Sequence, residues 1–102
     1  MPSSERERKT LKISIGDYIG STMHFDTVEH GAYLLLLMAY WARGGPLPYD
    51  DERLRTICRV SRYKWRKIRG KVLAQFWIQG DVIRHCRLDT ELAAQRGSKH
   101  GR

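Results

Sequence analysis

The chain has 102 residues, 41% hydrophobic and 29% charged, with 19 Lys and Arg against 11 Asp and Glu, a net charge of +8 and a pI near 9.9. That length suits one domain whose core needs neither metal nor disulfide. The charge favours polyanionic partners, nucleic acid ahead of an anionic membrane surface. The longest apolar run, Ala32 to Ala42, is too short to span a bilayer, and "MPSSERERKTLK" offers no apolar core for a signal peptide. Cys58 and Cys86 lie apart without motif spacing, so reduced thiols in a cytoplasmic protein are expected.

In chain order, residues 1–12 are polar and predict a disordered arm, with the folded domain over 13–95 and a polar tail over 96–102. Ile13 to Phe25 is mixed, and Gly16 and Gly20 predict turns in a lead-in strand or loop. "DTVEHGAYLLLLMAYWARGG" is the clearest helix: Asp26 is a natural N-cap, and Glu29 three residues on completes a capping box. Gly44 and Gly45 stop it, and Pro46 and Pro48 prevent its resumption. Apolar side chains cover most of its circumference, which demands burial on more than one side. A second copy of the chain is one way to cover the surplus, so a homodimer through this helix is expected.

"YDDERLRTICRV" predicts a short second helix capped by Asp50 or Asp51, with Leu54, Ile57 and Cys58 as its apolar stripe. Ser61 caps a third, whose Trp65, Ile68, Val72 and Phe76 recur on one face of a 3.6-residue period. In the turn "CRVS" a left-handed Arg59 would cost about 1–2 kcal/mol. A hairpin turning at Gly80 follows, then a short helix after Asp89. Long helix, short helix, turn, basic helix and hairpin make a mainly α fold with a small β-hairpin, α+β in class, in the order of a winged helix-turn-helix.

The chemistry gathers on the third helix. Arg53 to Lys71 holds nine Lys or Arg and no acid, whereas an ordinary solvated helix mixes signs because opposite charges one turn apart stabilise it. Phosphate contacts would relieve such a block while releasing counterions. With Trp65 and Ile68 inward, Arg62, Tyr63, Arg66 and Lys67 are the candidates for the DNA groove, with Gly70 on the same outward face. Lys64, Arg69 and Lys71 on the helix, and Arg84 and Arg87 of the hairpin acting as a wing, are the candidates for phosphate. The bland reading is a solvated basic face with no duty.

Other chemistries find less support. His24, His30, Cys58, His85 and Cys86 show no metal-ligand spacing, so no metal or cofactor is expected; His30 reads as a packed, hydrogen-bonded histidine. Capping explains the only acid cluster, Asp50 to Glu52, and Gly44-Gly45-Pro46 lacks the residues of a phosphate loop. No enzyme is expected. Taken alone, 61–77 resembles a basic amphipathic helix for anionic lipid, but its apolar residues should be occupied by the core, so no membrane partner is expected.

The strings "GDY" at Gly16 to Tyr18, "EHGAYLLLL" at Glu29 to Leu37, "GGPLP" with "DDE" over Gly44 to Glu52, and "WRKI" at Trp65 to Ile68 occur in order. By these the chain, over about residues 16–92, resembles the YdaU-type family of phage and prophage proteins, a domain of unknown function. The resemblance implies a winged-helix-like domain of a phage replication module, similar to the N-terminal domains of replication initiator or helicase-loader proteins. Such domains would bind origin DNA and recruit replication proteins. The expected function is therefore non-enzymatic DNA binding, duplex ahead of single strand, in phage or prophage replication or its regulation. The alternative is a protein-interaction module of the same machinery that touches no nucleic acid.

Overall fold

Asp26 starts the central helix, α2 (Thr27–Arg43), as its sequence predicts: the carboxylate accepts the Glu29 N–H at 2.8 Å, and Glu29 returns the bond to the Asp26 N–H. In a computed structural model describing residues 10–101, α2 is preceded by α1 (Ile15–Ser21). It is followed by β1 (Leu47–Pro48), α3 (Asp51–Cys58), α4 (Arg62–Leu73), β2 (Trp77–Gln79), β3 (Val82–Arg84) and α5 (Cys86–Gly101). Among the described residues the fold is mainly helical with a small three-stranded antiparallel sheet, ordered β1-β3-β2. Most of the expected N-terminal arm lies outside the described residues.

Burial of α2 organises the core. Ala32, Tyr33, Leu36, Leu37, Tyr40 and Trp41 are buried against α3, α4, α5 and β1. Of the large apolar side chains of α2, Val28 and Met38 are exposed and Leu34 and Leu35 partly buried. Leu54 and Cys58 of α3 and Trp65, Ile68, Val72 and Phe76 around α4 complete the core as their periodicity predicts. Ile83 joins them from the middle of the sheet, opposite Leu47 and Ile78. Pro48 sits in β1 at a sheet edge, where its missing N–H costs no ladder bond.

Three local features depart from the expectation. The Ile13–Phe25 stretch is not a strand or loop, because Ser14 caps α1 by accepting the Asp17 N–H. Gly16 and Gly20 lie inside that helix rather than at turns. Tyr18 holds it down, its ring 5.5 Å from His30 and 5.7 Å from Tyr33, and its hydroxyl 2.9 Å from His30 Nδ1. The chain after the hairpin re-enters a helix at Cys86, ahead of Asp89, and α5 runs through residues expected to form a tail. Its cap is His85, whose Nδ1 accepts the Leu88 N–H at 3.3 Å. The third feature is β1, too short to leave a pattern.

The turn between α3 and α4 is as tight as "CRVS" suggests. Arg59 takes φ 60 and ψ 43, the only non-glycine among the described residues with positive φ. The conformation costs about 1–2 kcal/mol for a residue with a Cβ.

His85 closes the core. Because Nδ1 accepts from Leu88, the ring proton belongs on Nε2, which donates to the Tyr33 hydroxyl at 2.8 Å. The Tyr40 hydroxyl accepts the His85 N–H at 3.1 Å and donates to Asp89. Burial pushes the Tyr33 and Tyr40 hydroxyls up to about 12, so both stay protonated. Burial likewise depresses the imidazole below its usual 6.5, an effect the Arg87 charge adds to and Asp89 opposes. The folded state therefore holds a neutral ring while the unfolded chain takes up a proton near 6.5, so this contribution is present above that pH and lost as acid carries the protein toward the lower folded value. Thermal unfolding from pH 7.5 to 5.5 should show a falling Tm, and His85→Asn, which keeps a capping side chain, should lower the Tm yet flatten that profile. An equally steep fall in both proteins would remove His85 as the cause.

Candidate nucleic-acid interface

The basic helix α4 begins at Ser61, whose hydroxyl accepts the Lys64 N–H at 3.1 Å. Trp65, Ile68 and Val72 fix its rotation by burial, leaving Tyr63, Arg66, Lys67 and Gly70 exposed on the other side. Tyr63 is 61% exposed, and the Lys67 ammonium stands 5.0 Å from its ring centroid in a cation–π contact.

The nine cations of 53–71 fall into two groups. Arg55 and Arg62 share the Glu52 carboxylate, with Arg62 Nε at 3.2 Å. Arg69 Nε donates to Asp51 at 2.9 Å, and Lys71 reaches the buried Glu29 at 3.6 Å. Arg53, Arg59, Lys64, Arg66 and Lys67 have no carboxylate partner among the described residues. Of the four expected groove residues, the structure thus brings Tyr63, Arg66 and Lys67 together unpaired and places Arg62 on Glu52. Among the expected phosphate residues, Lys64 is unpaired, while Arg69 and Lys71 are engaged within the chain.

The hairpin arginines stand elsewhere. Arg84 lies at the base of the hairpin, pairing with Asp89 at 3.2 Å and donating to Gln79 at 2.6 Å. Arg87 belongs to α5 and pairs with Asp17 of α1. The hairpin turns at Gly80, with φ +62, and Asp81. The tip of this hairpin therefore presents an acid and no cation. Sequence spacing could not show this, because it placed Arg87 on the strand that stops at Arg84.

Two acids assemble this surface. Asp51 accepts from Trp65 Nε1 and Arg69 Nε, both at 2.9 Å, and the Trp65 hydrogen bond, then Arg69, hold its carboxyl below its usual range. Glu52 is held low by its hydrogen bond to Arg55, with the Arg55 and Arg62 charges adding. Arg55 also donates to the Val60 carbonyl at 2.9 Å, so Glu52 and Arg55 clasp the turn between α3 and α4. Arg69 reaches the Tyr49 hydroxyl at 3.5 Å, and the Tyr49 N–H donates to Asp81 O at 2.8 Å, tying the hairpin tip to the basic helix.

Arg53 and Arg59, not among the expected site residues, are unpaired as well. Asp50, one turn before Arg53, caps α3, its Oδ1 accepting the Glu52 and Arg53 N–H groups. Elsewhere, a pocket of about 340 Å³ opens between residues 11–21, α2 and α5, lined by Tyr18, Tyr33, Leu37, His85 and Arg87 among others. None of the unpaired cations of 53–71 lines it. Burial raises the Cys58 thiol to about 12, where it donates to Ala32 O and is unreactive. Among the described residues no helix is long and apolar enough to cross a membrane.

A family model described as "Protein of unknown function (DUF1376)" matches residues 11–93. Over 86 residues the chain is 36% identical to "Uncharacterized protein YdaU" of Escherichia coli (strain K12), a stretch that makes up 84% of this chain and 30% of that relative. The chain therefore spans under a third of the length of the curated relative it matches. No solved structure matches it.

Gly70 offers a local check on the exposed face. A Cβ there meets nothing within 4 Å, so nothing inside the described chain requires glycine in mid-helix. Gly70→Ala should stabilise the protein by about 0.5–1 kcal/mol, read as a higher denaturation midpoint with an unchanged m-value. A loss of stability would mean that α4 packs differently.

Proposed function

The chain belongs to the family described as Protein of unknown function (DUF1376), and from that premise we propose that it is a non-enzymatic DNA-binding domain of winged helix-turn-helix type. The observation that carries this reading is the cluster of unpaired cations on the face of α4 turned away from the core. The order α2, β1, α3, α4, β2, β3, with β1 paired to β3, supports the architecture. A helix whose inner face is fully used by Trp65, Ile68 and Val72 can present only its outer face to a groove.

In this reading Tyr63, Arg66 and Lys67 approach base edges or the groove walls, and Lys64 holds a phosphate. Arg62 and Arg69 sit in exposed pairs that salt screens, and a phosphate can compete for them. Arg84, Arg87 and Lys71 serve the fold, so the hairpin contributes position and not charge. Phage or prophage replication, or its regulation, is the setting this proposal adopts from the family resemblance.

A second reading is a protein-interaction module. It is favoured by exposed apolar side chains on and after α1: Ile15 at 72%, Ile19 at 54% and Met23 at 77%. Such side chains suit a protein partner and gain nothing from phosphate.

Salt separates the two. With four or five phosphates neutralised, log affinity for duplex DNA should fall against log salt with a slope of about −3.5 to −4.5. Arg66→Glu with Lys67→Glu should abolish binding while leaving the Tm within a few degrees, since neither side chain enters the core. Binding without salt dependence, or unchanged affinity in the double variant, would sink the DNA reading and leave the apolar face of α1 as the surface to pursue.

A further inference from the structure

Arg59 occupies a position that the turn needs and holds a side chain that the turn does not use. Its N–H closes on Thr56 O at 3.2 Å, and the Val60 N–H reaches Arg55 O at 3.4 Å. The Arg55 guanidinium holds Val60 O from outside, and Glu52 joins Arg55 to Arg62 across the turn. Every one of these bonds uses the Arg59 backbone or other residues. Glycine takes a left-handed conformation without the steric penalty that a Cβ incurs, yet the residue here is an arginine. Its side chain is exposed and has no carboxylate partner among the described residues. The strain is thus retained where the side chain contributes nothing to folding.

We propose that Arg59 is a phosphate-holding residue, its guanidinium presented by the left-handed turn to a DNA backbone phosphate flanking the stretch that α4 contacts. The proposal rests on the DNA-binding reading above and adds a contact that no charge count of α4 includes. The turn is clasped from both sides by Glu52 and Arg55, so the guanidinium leaves a fixed point two residues before the Ser61 cap. A fixed origin suits a positioning contact, which sets the register of the helix without reading sequence. The first turn of α4 contains no acid that would compete for it.

The test compares Arg59→Gly, Arg59→Lys and Arg66→Glu with the parent chain, by thermal unfolding and by fluorescence anisotropy on a duplex oligonucleotide across a salt series. Arg59→Gly should raise the Tm, by about 4 °C, while weakening binding roughly tenfold at low salt and flattening the log–log slope by about 0.9. Arg59→Lys should keep the parent slope, because the charge is retained. Gain in stability with loss of binding is a pairing that a purely structural residue does not give. Parent-like affinity and slope in Arg59→Gly, with Arg66→Glu weakened, would overturn this proposal and leave the DNA reading standing. A lower Tm in Arg59→Gly would show that the turn depends on the arginine, and would overturn it too. A parent chain with no salt-dependent binding would end both.

Discussion

A helix that is apolar around most of its circumference has to be wrapped, and in a chain this short the wrapping of α2 uses nearly everything else. α3, α4, α5 and β1 all lie against it. Three of its polar side chains are tied off on other elements: Glu29 meets Lys71 of α4, Tyr33 meets His85, and Tyr40 meets Asp89 of α5, while the buried Trp41 Nε1 has no hydrogen-bond partner among the described residues. This demand decides how α4 is rotated about its own axis. Trp65, Ile68 and Val72 must face α2, so Tyr63, Arg66 and Lys67 have no choice but to face away. The candidate interface is the remainder of a packing requirement.

Elements that announce themselves locally were legible in the sequence. Asp26 with Glu29, Asp50 and Ser61 each combine a cap with an apolar stripe, and each starts a helix where the pattern places it. Gly80 marks the hairpin because its positive φ is a requirement that few other residues meet. What stayed hidden depends on distant partners. α1 buries no residue completely, so its apolar side chains carry no inward period, and two internal glycines argue against a helix that Tyr18 secures from outside. The start of α5 was hidden for a related reason. A histidine caps a helix only when something fixes its tautomer and ring, and here that is Tyr33, far away in sequence.

The candidate site divides along the same line. The sign and density of charge on 53–71 can be read from the sequence, and the unpaired face of Tyr63, Arg66 and Lys67 follows from periodicity. Which cations are neutralised cannot be read, because the pairs run between elements: Asp51 to Arg69, Glu52 to Arg62, Glu29 to Lys71. Asp51 and Glu52 sit in the first turn of α3, where the helix dipole favours them. From there they also reach α4. Acids explained fully by their own helix thus gain a second duty once the neighbouring helix is in place, and Arg62 and Arg69 are drawn toward them.

The hairpin tip, the start of α3 and the middle of α4 are joined through one tyrosine: Tyr49 N–H to Asp81 O, and the Tyr49 hydroxyl to Arg69, which also holds Asp51. Three segments that could swing separately are braced as one plate. Much of the usual entropic penalty of recognition comes from ordering loops and side chains at the moment of contact. On this face the backbone part of that ordering is done during folding, so a partner of the kind proposed would leave only the exposed side chains of α4 still to be ordered.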